Sequence, residues 1–94
     1  MLYNFFVSGT GEAGVAKSIA DVIVKRFNVV GEVQHLINNL ITKLKVIYRS
    51  FDDDFSWTDL GGAILDIGQL VITFVPAGKL TNIVATLWDV STIL

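Results

Sequence analysis

Apolar residues recur at steps of three and four from Gly14 to Ser50: Ile19, Val22, Ile23, Val29, Val30, Val33, Leu36, Ile37, Leu40, Ile41, Leu44, Ile47 and Tyr48. At 100° per residue they gather on one side of a helix. Lys17, Asp21, Lys25, Asn28, Glu32, His35, Asn39 and Lys43 fall on the other. The pattern predicts one amphipathic helix of about 35 residues, roughly 50 Å long, with Gly31 as a point of bending. Arg26 breaks the pattern, because its phase puts it at the centre of the apolar face. A buried guanidinium needs a carboxylate or phosphate partner, and Asp66, Asp89 or a lipid head group would serve.

The run Phe-Asp-Asp-Asp-Phe-Ser-Trp at 51–57 ends this arm. Asp52, Asp53 and Asp54 oppose the macrodipole at a helix C-terminus, so the chain is expected to turn there. Ser56 and Asp59 then match the S-x-x-[DE] start of a second helix. From Thr58 to Leu94 the chain is apolar almost all round. Asp66, Gln69 and Thr73 share one narrow polar face up to Val75, and Lys79, Asn82, Thr86 and Asp89 form another stripe after Pro76 and Gly78. The change of direction predicts a kink or break near Pro76–Gly78. The fold class expected is therefore all-α. Residues 1–13 are an N-terminal segment, 14–50 a first arm, 51–57 an acidic turn and 58–94 a second arm, which together form a long antiparallel helical hairpin. A second arm this apolar needs cover on several sides, which points to self-assembly or lipid. Gly61 and Gly68 lie one heptad apart on the same face and would allow close helix approach. Trp57 and Trp88 mark the two ends of that arm, as at apolar–polar boundaries.

Composition sharpens this picture. Of 94 residues, 52% are hydrophobic and only 17% charged, and the mean hydropathy is +0.61. Disorder is excluded, since it requires low hydrophobicity and high charge. The formal charge of −2 leaves no bulk footprint for nucleic acid. The charges are nonetheless segregated. Residues 13–50 carry six cations and two carboxylates, whereas 51–94 carry six aspartates and one lysine. Halves of opposite sign attract within one chain or between copies.

Chemistry-bearing motifs are sparse. The absence of cysteine removes disulfides, thiolate metal sites and cysteine nucleophiles. Gly9-x-Gly11-x-x-Gly14 matches the dinucleotide fingerprint after a possible strand at Leu2–Val7, with Thr10 a candidate N-cap and Glu12 in the first turn. The periodicity then runs on to residue 50 and leaves no βαβ unit. His35 is the single histidine, and the aspartate run lacks the spacing of a calcium loop. No nucleophile–base pair is present, so neither an enzyme nor a bound cofactor or metal is expected. The N-terminus Met1–Val7 lacks the basic and cleavage regions of a signal peptide. Leu60–Ala77, with one Asp, is close to the length needed to span a bilayer.

The arm Val15–Tyr48, the turn Phe51–Trp57 and the glycine-containing arm Leu60–Leu94 together resemble the pilins of conjugation and type IV secretion pili, including archaeal DNA-exchange pilins. The resemblance is one of architecture and covers most of residues 12–94. It implies a structural subunit of a helical filament, held by hydrophobic packing with structural lipid, extracellular and drawn from a membrane-stored pool. Copies of the chain would be its partners, with Arg26, Asp66 and Asp89 as lipid or inter-subunit anchors. Two other readings stay open: a small membrane protein of the pore-former or holin kind, and a soluble four-helix interaction module.

Overall fold

In the computed structural model, the described residues are Leu2, Phe5, 11–50, 56–76 and 78–91. They form four helices: α1 (Glu12–Arg26), α2 (Val33–Ser50), α3 (Trp57–Ile72) and α4 (Leu80–Ser91). The all-α class expected from periodicity is what the chain adopts. Leu2 and Phe5 are helical rather than extended, and both side chains are buried.

The long first arm is two helices, not one. Its expected length of about 50 Å exceeds the longest dimension of the molecule, 36 Å. The break lies at 27–32, where Phe27 turns to extended backbone (φ −134°, ψ 158°) and Gly31 takes φ +91°. Val29 and Val30 are β-branched and disfavour helix, and Gly31 enters a region closed to most side chains. Tertiary contact completes the break, because the Val30 N–H leaves the helical ladder and donates to Phe74 O at 2.8 Å. The apolar stripe continues across this interruption, which is why periodicity alone reads through it.

The second arm is broken where Pro76 and Gly78 stand. After Ile72 the chain makes tight turns, with Phe74 N–H donating to Val71 O and Gly78 N–H to Val75 O. It re-enters a helix at Leu80. The start of α3 has the expected cap: the Ser56 hydroxyl accepts from Asp59 N–H at 3.4 Å. At the start of α1 the cap is Gly11, in the left-handed region and without a side-chain hydrogen bond; Thr10 lies outside the described residues.

Each helix packs on the next in sequence, and α4 returns to α1, so the four surround one core. Its centre is Ala16, Ile19, Ala20 and Ile23 of α1, Leu36, Leu40, Leu44 and Ile47 of α2, Leu60, Ile64, Ile67 and Val71 of α3, and Ile83 and Leu87 of α4. Spacings of three and four within each set give every helix one buried stripe. The helices α3 and α4 run antiparallel. Gly68 faces Leu80, Val84 and Leu87, whereas Gly61 faces Trp88 at 3.5 Å from an ideal Cβ. The second arm thus covers much of its own apolar surface. The radius of gyration is 12.2 Å, against about 12.4 Å for a compact chain of this length.

Candidate interaction surface

Arg26 closes the last turn of α1, where the cation complements the helix dipole. The expectation that it is buried fails because the helix ends there. Phe27, on extended backbone, packs against the core in its place. The Arg26 guanidinium reaches Asp89 on α4, with Nη1 and Oδ2 3.8 Å apart, and both side chains are more than half exposed (53% and 69%). The structure thus joins two of the three residues expected to form an anchor. Asp66 stands apart on the exposed side of α3, without a side-chain hydrogen bond or ion pair among the described residues. Asp52, Asp53 and Asp54 lie outside the described residues.

The glycines expected to admit a neighbouring helix do so within the chain. At Gly68 an added Cβ would stand 3.1 Å from Val84 Cγ2 and 3.3 Å from Leu80 Cδ1. Trp88 lies over Gly61, one turn from Trp57, so the fold brings the two tryptophans toward one end of the α3–α4 pair. Trp57 is 60% exposed and Trp88 is partly buried.

The helix order keeps the segregated charges on two different helix pairs, α1 with α2 and α3 with α4. Helices α1 and α2 carry Lys17, Lys25, Arg26, Lys43, Lys45 and Arg49 against Glu12 and Asp21. Helices α3 and α4 carry Asp59, Asp66 and Asp89 and neither Lys nor Arg. The ion pair Arg26–Asp89 sits where α1 meets α4. Of these ionisable side chains only Glu12 and Lys43 are half-buried; the rest are exposed.

One open groove of about 570 Å³ lies at the seam between these two helix pairs, where α2 meets Leu70 of α3. Its rim is polar. Asn39 Nδ2 donates to His35 O at 2.8 Å, Thr42 Oγ1 donates to Asn38 O at 3.2 Å, and Asn38 Oδ1 accepts from Gln34. These groups are turned back onto their own helix. What faces outward is the apolar surface of Val46, 55% exposed, and half-buried Leu70, beside Lys43. The His35 ring stacks at a tilt on Phe74, centroids 5.8 Å apart. The charged halves are legible in the sequence, but the groove is not, because it depends on which helices become neighbours.

Among the described residues no three His, Asp or Glu side chains converge as a metal site would require, and no helix is long and apolar enough to cross a membrane. Comparison with known protein families, with curated proteins and with solved structures finds no match.

Proposed function

We propose that this chain is a structural subunit that associates with copies of itself, joining the cationic α1–α2 side of one copy to the acidic α3–α4 side of the next. The observation that carries this reading is the division of charge between the two sides of the helix ring. The opposed patches are different surfaces, so a contact between them is head-to-tail. Head-to-tail contacts make rings where the rotation closes and open filaments where it does not. Hydrophobic helix packing between copies, the driving force expected from an uncovered second arm, is not part of the proposal, since that arm is largely covered within the chain. Lipid is not part of it either, because Arg26 already has a carboxylate partner.

Charge-driven association weakens as salt shortens the screening length from about 30 Å at 0.01 M to 8 Å at 0.15 M. Negative-stain electron microscopy and light-scattering mass on the pure chain test the reading. Filaments or rings at low salt support it. A mass of one chain, 10.3 kDa, at every concentration and salt overturns it. The compact single core also suits a small module that binds a different protein through one charged side. That reading gains ground if the chain stays monomeric.

A further inference from the structure

We infer that the link at 27–32 is a hinge through which two copies of this chain exchange α1. In the exchanged dimer the link becomes helix, residues 12–50 run as one arm, and each α1 fills the place that the other copy's α1 has left. This goes beyond the charged sides and does not rest on them.

The observation behind it is a heptad that continues through the break. Ala16, Ile23, Val30, Ile37 and Leu44 stand seven apart. Ile19, Arg26, Val33, Leu40 and Ile47 do the same, offset by three. Only Arg26 among them is polar. This is the a and d pattern of helices packed along one seam. In the closed chain both ends of the seam are in use, with Ala16, Ile19 and Ile23 buried on α1 and Leu40, Leu44 and Ile47 buried on α2. Its middle is not. Val30 and Val33 are 51% and 38% exposed where the chain turns back. Two straight arms lying antiparallel cover both.

The occupant is a second copy because the surface that α1 leaves is built for α1, and every copy carries one. Exchange re-forms the same packing between chains, and Arg26–Asp89 becomes a pair between chains. The balance therefore turns on the link. Closed, Val30 N–H donates to Phe74 O at 2.8 Å, the one backbone hydrogen bond among the described residues that ties the link to the α3–α4 half. Open, the link N–H groups join a helical ladder, at the cost of one glycine and two β-branched valines in its interior. Gly31 suits both states, since glycine reaches φ +91° as well as helix. The link at 73–79 cannot straighten in this way, because Pro76 interrupts a helix. Exchange requires α1 to leave the core, so a chain folded in dilute solution stays closed and the dimer forms on refolding at high concentration.

The test is run at about 1 M salt, where charges are screened within about 3 Å. Spin labels are carried by Ala13→Cys and Thr42→Cys in one chain, both at exposed positions, diluted with unlabelled chain. They stand about 44 Å apart along a continuous helix and roughly 10–20 Å apart when α1 and α2 lie side by side. The expected result is a refolded dimer, identified by sedimentation velocity, that shows the long distance. Gly31→Ala disfavours the closed link and favours helix, so it should raise the dimer association constant more than about tenfold. Asn28→Pro should lower it by about 100-fold or more, because it breaks the continuous arm. The closed chain accepts that proline, since Phe27 already has the extended backbone that precedes one (φ −134°, ψ 158°). Circular dichroism checks that both variants fold. A refolded dimer that keeps the short distance overturns the exchange, and so does a chain that stays monomeric after refolding even with Gly31→Ala. Neither result touches association through the charged sides, which is read at low salt on chain that has not been refolded.

Discussion

Two glycines six positions apart on α3 have opposite surroundings. An added Cβ at Gly62 meets nothing within 4 Å, whereas at Gly68 it meets Val84 at 3.1 Å. Gly62→Ala should therefore stabilise the fold by about 1 kcal/mol, the helix-propensity difference. That corresponds to a rise in Tm of roughly 4–8 °C for a domain of this size. Gly68→Ala gains the same propensity but pushes against Val84, whose β-branched side chain is stiff in a helix, so overpacking of about 1–3 kcal/mol outweighs the gain. Thermal denaturation followed by circular dichroism should show the two variants moving in opposite directions. Arg26 illustrates a different lesson at this scale. Its pairing with Asp89 was among the alternatives legible in sequence, but its burial was misjudged because residues 14–50 read as one helix. As an exposed pair it contributes at most about 1 kcal/mol, so Arg26→Ala should move Tm by only a few degrees. A large loss of stability would show that the pair is more desolvated than its geometry indicates.

At the scale of elements, what decides the fold is where the helices stop. The Pro76–Gly78 break was legible because proline and glycine carry local signals that no tertiary contact is needed to explain. The start of α3 was legible for the same reason, with Ser56 and Asp59 in register. Its cap bond is long at 3.4 Å, so Ser56→Ala should cost about 0.5 kcal/mol, the lower end for capping residues, measurable by denaturant titration. The break at 27–32 was not legible. The apolar stripe persists through it, and only Gly31 hints at it. The deciding contact, Val30 N–H to Phe74 O, comes from forty-four residues away. Gly31→Ala should destabilise by about 1–2 kcal/mol, since alanine pays a steric penalty at φ +91°. Gly31→Asn should cost less than Gly31→Ala, because asparagine tolerates the left-handed region better. Equal tolerance of both would mean that the link can settle into another conformation.

At the scale of the whole molecule, the described residues form four short helices around one core where two long arms are expected, and this changes the basis of any assembly. A long apolar arm would have called for lipid or neighbours on several sides. Folding that arm at 73–79 sets α3 against α4 and leaves exposed apolar residues at separate points, including Val24, Val46, Trp57 and Leu65. The charge division was visible in the sequence as two halves of opposite sign. Its meaning needed the helix order, which puts α1 beside α2 and α3 beside α4. The measurement that tests self-association through these sides most directly is sedimentation velocity of the pure chain over a wide concentration range, at about 0.01 M and about 1 M salt. The expected result is a mass that grows with concentration at low salt and falls back toward 10.3 kDa at high salt. A mass fixed at one chain under both conditions, or an assembly indifferent to salt, would contradict it.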